Sequence, residues 1–204
     1  SIGLGKKVLI ADNLAIFSSP LFSLANEGAK LSFFEAWTGL LTYTAQIYYD
    51  FSGYCDMGIG LCVFFCIKLP LNFYSPYKSP NIADFWRRWH ISLSSWFKDY
   101  IYIPLGGGKG SHYTRIRNLF VVFLVSGFWH GANWTFIAWG FFNALLYLPQ
   151  YLNLSNSIHK KTDYKYPLFP GIKEFASIAL TFTAITLTWV FFVSESIGAS
   201  LEYF

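Results

Sequence analysis

Two long stretches without charge constrain the fold of this chain more than any other feature. From Asn118 to His159 the sequence runs for 42 residues without an Asp, Glu, Lys or Arg, and residues 175–194 form a second such stretch of 20. One helix needs about 20 apolar residues to cross the hydrocarbon of a bilayer. The longer stretch therefore predicts two membrane passes and the shorter one predicts another. A cluster of buried helices in a soluble protein is the alternative.

The composition favours the membrane interpretation. Charged residues make up 13% of the chain and aromatic residues 22%, whereas a soluble domain carries about 25% charged residues, and Trp and Tyr are enriched at membrane interfaces. The net charge of +4 does not indicate nucleic acid, because the basic residues lie between apolar stretches and no nucleic-acid-binding motif accompanies them. We predict an all-α, multi-pass protein whose main partner is the lipid bilayer.

The distribution of basic residues predicts the topology. Eight Lys and Arg fall within residues 68–117, and four fall within residues 151–174. Segments rich in Lys and Arg stay on the cytoplasmic side of a membrane, so we expect both segments to be cytoplasmic. The uncharged stretch between them then has to cross and return, and residues 131–133 (Gly-Ala-Asn) supply the bend.

The first half of the chain predicts less regular elements. Residues 6–12 indicate an interfacial helix or the end of a longer span. Residues 33–52 predict a Thr- and Tyr-rich membrane helix that breaks near residues 51–54 (Phe-Ser-Gly-Tyr). The apolar run at residues 57–67 is too short to span, so we expect it to pack on protein, tilt or re-enter the membrane.

A helix is predicted over residues 82–97, with Asn81 as its N-cap and Asp84 as the capping-box partner. It mixes Trp, Arg and His with apolar residues, which places it at the interface or inside a protein-lined cavity. The glycine run at residues 106–110 predicts a flexible turn. Phosphate binding there is the weaker alternative, because the run lacks the phosphate-loop motif and a preceding strand.

His130 is the strongest candidate for chemistry. It lies in the segment SGFWHGANW (residues 126–134), and the 13 residues from Asn118 to His130 correspond to about 20 Å of helix, within a hydrocarbon core of about 30 Å. An ionisable group at that depth is costly and marks a functional site. Burial favours the neutral imidazole, which is the form that accepts a proton from a hydroxyl. The alternative is a histidine that only hydrogen-bonds two helices together.

His90 is the second candidate, and its role stays open between a direct one and interfacial packing. Arg87 and Arg88 beside it disfavour an imidazolium. We predict no metal, because the four histidines show no metal-binding spacing. Ser126 lacks the frame of a nucleophile motif, and Cys55 has no basic neighbour. A buried histidine without a partner nucleophile indicates direct transfer to an external hydroxyl.

Five segments carry a specific resemblance to a known family. They are DFWRRWHISLS at residues 84–94, WFKDYIYIPLGG at residues 96–107, WHGANWTF at residues 129–136, KK and IAD at residues 6–12, and YDFSGY with DM at residues 49–57. Together they resemble the membrane-bound O-acyltransferase family and its alginate O-acetyltransferase branch. The resemblance is strongest over residues 5–148. The D-alanyl-transferring branch shares the Trp-His segment around His90, but the Ile-Pro-Leu-Gly-Gly stretch is more similar to the alginate type.

The resemblance implies a fold and an activity. The fold would be a multi-pass helical protein of the bacterial inner membrane, in which re-entrant or interfacial helices surround a membrane tunnel, and residues 1–204 would be one partial core domain. An acyl thioester donor, acetyl-CoA or another thioester, would enter from the cytoplasm as a substrate, and no cofactor is expected. The acyl group would pass to a cell-surface polysaccharide such as alginate, directly or through a periplasmic acyl-accepting partner protein.

The resemblance also implies roles for particular residues. His130 matches the catalytic histidine, here the general base, and His90 matches a second polar position of the branch. The tunnel candidates are Trp86, Trp89, Trp129, Asn133 and Asn143. The chain departs from the family at Asn143-Ala144, where many relatives have His-Gly. A membrane transporter or channel segment and an inactive truncated acyltransferase scaffold are the alternative functions.

Overall fold

The computed structural model describes residues 1–154 and 170–203, and within these ranges it contains helices and no strand. The all-α prediction is therefore confirmed. The helices are α1 (Ile2–Asn26), α2 (Phe33–Phe64), α3 (Ile82–Arg88), α4 (Ile91–Phe97), α5 (His112–His130), α6 (Trp134–Leu154), α7 (Ile172–Val193) and α8 (Ile197–Glu202). Residues Lys6–Ala11 of α1 are π-helical, a π-helical turn Lys98–Tyr102 continues α4, and Pro76–Lys78 form a 3₁₀ turn.

Among the described residues, two helices are long and apolar enough to cross a membrane by length and composition, namely α1 and α7. The second of these coincides with the predicted pass at residues 175–194. Helices α5 and α6 occupy the longer uncharged stretch and are separated at residues 131–133, where we predicted the bend, while their passage through the membrane stays a prediction. Residues 155–169, which include most of the second basic segment, lie outside the described part of the chain.

Helix α2 corrects the prediction of a break at residues 51–54. It runs without interruption over 32 residues, about 48 Å, and it includes most of the short apolar run that we expected to be a separate piece. Gly53 does not interrupt the helix, because its role is to allow close packing between α2 and α1. It lies against Gly3 of α1, and a side chain on either glycine would collide with the backbone carbonyl oxygen of the other.

Ion pairs hold α1 on α2 beside this glycine contact. The ammonium of Lys7 lies 2.7 Å from a carboxylate oxygen of Asp12 and 2.7 Å from one of Asp50. Lys6 lies 2.7 Å from Asp56. Charges inside a membrane protein are tolerated when they pair with one another, so these pairs explain how a helix apolar enough to span can carry two lysines and an aspartate.

The helix predicted over residues 82–97 is two helices that meet at His90. The predicted cap is present, because the Asn81 side chain accepts a hydrogen bond from the Asp84 N–H at 2.8 Å. After Arg88, however, the chain leaves the helix, and His90 adopts the left-handed conformation with φ 45° and ψ 56°. The single-helix prediction is therefore wrong at this point.

The preceding loop causes this break. The carbonyl oxygen of Asn72 accepts the N–H of Ile91 at 3.0 Å, and its side-chain oxygen accepts the N–H of Ser92 at 3.0 Å. These N–H groups begin α4 and have no partner inside that helix. The guanidinium of Arg88 donates to the Tyr74 carbonyl at 2.9 Å and to Asp84 at 2.8 Å. Hydrogen bonds with the preceding loop thus replace the hydrogen bonds that would continue one helix.

Helices α5 and α6 form a tight antiparallel pair. A side chain at Gly127 would collide with the carbonyl oxygen of Phe136, and one at Gly140 would collide with that of Phe123. The glycine run at residues 106–110 forms a turn, as predicted. The buried Asn118 side chain donates to two carbonyl oxygens of the preceding chain, those of Leu105 at 3.0 Å and Gly107 at 3.1 Å, and so fixes the turn at the base of α5.

An aromatic core joins α3 to α6 and α7. Phe85 stacks on Trp89 with ring centroids 5.5 Å apart, and Trp89 contacts Trp189 at 5.1 Å. Trp189 stacks in turn on Trp139 at 6.0 Å. All four side chains are at most 5% exposed. This core brings the broken segment at His90 against the ends of α5 and α7.

Candidate active site

The break at His90 and the end of α5 place both candidate histidines on one small cavity. The cavity has a volume of about 50 Å³. By the same measure a water molecule needs about 10–15 Å³, so the space suits a small group rather than a long chain. Apart from the two histidines, the lining is mainly aromatic and aliphatic: Ile47, Phe51, Trp86, Trp89, Leu93, Ser126, Trp139, Trp189 and Phe192.

His130 is held by rings on several sides. It is the last residue of α5, where Gly131 ends the helix. Its imidazole meets Trp139 edge to face with centroids 5.3 Å apart, and it meets Phe192 at 5.0 Å. Edge-to-face contacts of this kind restrict the orientation of a ring. The imidazole is therefore positioned by packing from α6 and α7.

His90 reaches the same cavity from the junction of two seven-residue helices, neither of which is long enough to span a membrane. Its ring meets Phe51 edge to face at 4.6 Å. Burial lowers the pKa of His90 to about 4, so the ring is neutral near pH 7. The neutral form agrees with our expectation, but its cause is burial rather than the neighbouring arginines.

Four buried nitrogen atoms of the lining have no hydrogen-bond partner among the described residues: Nε1 of Trp86, Nδ1 of His90, Nε1 of Trp139 and Nε1 of Trp189. An unpaired buried donor or acceptor costs about 1–3 kcal/mol, and native proteins contain few of them. Their concentration around one cavity indicates that the cavity receives a polar group.

A larger groove adjoins this cavity. Its volume is about 410 Å³, and it shares Trp86 and Ser126 with the histidine cavity. One wall is the face of α5 from Leu119 to Ser126 and the other includes Tyr147 and Tyr151 of α6. Two cations, Arg87 and Lys98, line it together with the hydroxyl residues Ser94 and Ser95. The groove thus leads along α5 from its basic end toward His130.

The other residues that the sequence proposed for the site lie at several places in the structure. Trp86 and Trp89 line the histidine cavity. Trp129 contacts the His130 ring with centroids 4.9 Å apart, but its side chain is 57% exposed and is not part of the cavity lining. Asn133 caps α6 through the Thr135 N–H at 3.2 Å and donates to the Glu195 carbonyl at 2.9 Å, which fixes the bend.

Asn143 lies deeper in α6 and outside the cavity lining. It is fully buried, and its amide donates to the Trp139 carbonyl one turn earlier at 2.9 Å. Its Oδ1 has no partner within residues 1–154 and 170–203. Asn143 therefore borders the site through the backbone of Trp139.

Sequence reasoning missed several lining residues. Ser126 precedes His130 by one helical turn, so its place on the same face could have been inferred from the spacing i, i+4. Trp139, Trp189 and Phe192 belong to α6 and α7, and their approach to His130 depends on how these helices pack. Nothing in their local sequence separates them from other aromatic residues of the core.

The fold and the site together define a helical membrane protein with two histidines in an aromatic cavity. Among the described residues, no group of His, Cys, Asp and Glu is arranged to hold a metal ion. The chain matches the model of the membrane-bound O-acyltransferase family over residues 1–192 and belongs to that family.

Two curated relatives match nearly the whole chain, and a third matches about three quarters of it. It is 47% identical to the peptidoglycan O-acetyltransferase of Helicobacter pylori, over 99% of the chain and 36% of that protein. It is 41% identical to the probable alginate O-acetylase AlgI of Pseudomonas aeruginosa, over 96% of the chain and 35% of that protein. The teichoic acid D-alanyltransferase of Bacillus subtilis is 30% identical over 74% of the chain. The chain spans little more than a third of the length of these relatives.

Proposed function

We propose that this chain carries the catalytic core of an O-acetyltransferase of the bacterial inner membrane. The enzyme would move an acetyl group from a cytoplasmic thioester, such as acetyl-CoA, to a hydroxyl of a cell-surface polysaccharide, directly or through a periplasmic partner protein. The observation that supports this most is the meeting of His130 and His90 at one aromatic cavity that adjoins a groove with two cations. Two relatives are named a peptidoglycan O-acetyltransferase and a probable alginate O-acetylase, which supports acetyl as the acyl group and a polysaccharide as the acceptor.

His130 would act as the general base. A neutral imidazole can take the proton of the acceptor hydroxyl as its oxygen attacks the thioester carbonyl. The contacts with Trp139 and Phe192 hold the ring in place, and pre-orientation of a reacting group lowers the entropic part of the barrier. The aromatic walls also exclude bulk water, which would otherwise compete as an acyl acceptor.

The groove is suited to the donor. An acyl thioester of the pantetheine type is a long, mostly uncharged arm with phosphate groups at its far end. Arg87 and Lys98 supply positive charge in the groove, and Arg and Lys are the usual partners of phosphate. The shared residues Trp86 and Ser126 would let the thioester end reach the histidine cavity while the phosphates stay near the cations. The groove and cavity would then be one part of a tunnel through the membrane.

Substitution of His130 in the intact protein tests this function. We expect His130→Ala to reach the membrane at the normal level and to lose most transfer, because general-base assistance is worth about 10²–10⁴-fold in rate. The measurement is the acetate released by mild base from envelope polysaccharide, normalised to the protein in the membrane. His112→Ala is the matched control, since His112 begins the same helix and lies at an exposed position outside the cavity.

The two roles of His130 predict different failures. If His130→Ala keeps half of its transfer activity, the histidine is not the base and the proposal is wrong. If the variant disappears from the membrane while His112→Ala does not, His130 holds the helices together, as in the packing alternative.

A further inference from the structure

Of the three unpaired indole N–H groups at the histidine cavity, those of Trp86 and Trp139 belong to rings that meet edge to face. Nε1 of Trp139 is buried in a side chain that is only 2% exposed, and Nε1 of Trp86 is buried as well. Neither atom has a hydrogen-bond partner within the described ranges 1–154 and 170–203. An indole nitrogen is a donor only, so each of them requires an oxygen or another acceptor that this part of the chain does not supply.

The two indoles and His130 form one contact series. The rings of Trp86 and Trp139 meet edge to face with centroids 5.7 Å apart, and Trp139 meets the His130 imidazole at 5.3 Å. All three side chains line the same 50 Å³ cavity. An acceptor atom that enters this cavity is therefore close both to the proposed base and to the unpaired donors.

We propose, building on the proposed function, that the N–H groups of Trp86 and Trp139 bind the carbonyl oxygen of the acyl thioester and stabilise the oxyanion formed during transfer. The acceptor hydroxyl gives its proton to His130 while its oxygen bonds to the carbonyl carbon. The carbonyl π electrons move to the oxygen, where the two indoles donate hydrogen bonds. The tetrahedral intermediate then collapses, the carbon–sulfur bond breaks, and the leaving thiolate takes the proton from His130.

This arrangement has the features of an oxyanion site. The donors are fixed in a mainly aromatic cavity, and in surroundings of low polarity a hydrogen bond to a developing charge is worth more than in water. They are also buried and unpaired before substrate arrives, so the free-energy cost of leaving these donors without a hydrogen bond is already present in the free protein. The small volume corresponds to about three to five water-sized groups, which suits a two-carbon acyl group.

Removal of a single N–H tests the proposal. In the intact protein reconstituted in lipid, Trp139→Phe should lower kcat for acetyl transfer by about 10²–10³-fold, the usual effect of losing one oxyanion donor, with the donor KM changed less than about threefold because the ground-state carbonyl binds weakly. Incorporation of 3-benzothienylalanine at position 139, which keeps the shape of the indole but lacks the N–H, repeats the test without a packing change. Trp37→Phe is the control, because Trp37 lies on α2 outside both the cavity and the groove.

A second donor substrate separates an oxyanion role from a structural one. Replacing the carbonyl oxygen of the donor by sulfur weakens its hydrogen bonds, so the wild-type enzyme should prefer the oxygen donor more strongly than either position-139 variant does. We expect the ratio of the two rates to fall at least about tenfold in the variants. An unchanged ratio, or a benzothienyl variant with normal kcat, would overturn the oxyanion assignment. Neither result would affect the assignment of His130, which its own substitution tests.

Discussion

His90 combines an unusual backbone conformation with a side chain in the cavity, and two substitutions can separate these features. The left-handed conformation, φ 45° and ψ 56°, costs most residues about 1–2 kcal/mol, whereas Asn adopts it more readily. His90→Asn and His90→Ala both remove the imidazole, but only the Ala variant carries the full backbone penalty. We expect the Ala variant to unfold with a free energy about 1 kcal/mol lower than the Asn variant.

Both variants should transfer acetyl poorly if the imidazole takes part in the reaction. We expect kcat to fall by about 10–100-fold in each, because loss of a positioned group at a reacting centre commonly has such an effect. Stability is measured by denaturant unfolding in detergent and kcat with saturating donor. Ser75 is the matched control position, since it has nearly the same backbone conformation, φ 46° and ψ 57°, and lies outside the cavity lining.

Ser75→Asn and Ser75→Ala should therefore differ in stability without a change in transfer. Normal transfer by His90→Asn would refute a role for the imidazole and leave only its backbone role. Equal stability of the Asn and Ala variants at position 90 would instead contradict the backbone penalty expected for the left-handed conformation.

Two further predictions concern packing. Phe192→Leu should enlarge the cavity beside His130, since the rings of Phe192 and His130 lie 5.0 Å apart. The variant should therefore transfer propionyl faster relative to acetyl when the two thioesters compete. Unchanged selectivity would show that the cavity does not select the acyl group by its size. Gly127→Ala should lower the unfolding free energy by about 1–3 kcal/mol through overpacking, because a side chain there meets the Phe136 carbonyl. Gly58→Ala, which meets nothing within 4 Å, should be neutral or stabilising, and an equal loss at both positions would contradict the tight α5–α6 contact.

Much of the architecture could be predicted because its signals are local. Uncharged runs located α5, α6 and α7, and residues 131–133 gave the bend because Gly131 ends α5 and Asn133 caps α6. The Asn81 cap was predictable for the same reason. Each of these features depends on residues close together in sequence.

The errors arose where distant contacts decide the local structure. Gly53 gave the same signal as a helix break, yet it lies inside a 32-residue helix because Gly3 packs against it. The segment around His90 has an ordinary helical pattern, and its break depends on hydrogen bonds from Asn72 and Tyr74. Neither contact leaves a signal within the segment that it changes.

The two histidines of the candidate site could be predicted from the sequence, but the other residues that line the cavity could not. His130 stood out by its depth in an uncharged stretch, and His90 by the family motif around it. Their meeting at one cavity, and the presence of Trp139 and Phe192 there, depend on the packing of α3, α5, α6 and α7. Asn133, a tunnel candidate by resemblance, instead fixes a bend through its bond to the Glu195 carbonyl.

Transfer across a sealed bilayer tests the central claim most directly. The intact protein is reconstituted in proteoliposomes, with a labelled acetyl thioester supplied on the side of residues 98–117 and a hydroxyl acceptor on the other side. The wild type should move label to the acceptor, while His130→Gln, which keeps a polar side chain but lacks a base, should bind the donor and transfer at least about 100-fold more slowly. Transfer by His130→Gln at more than half the wild-type rate would contradict the account.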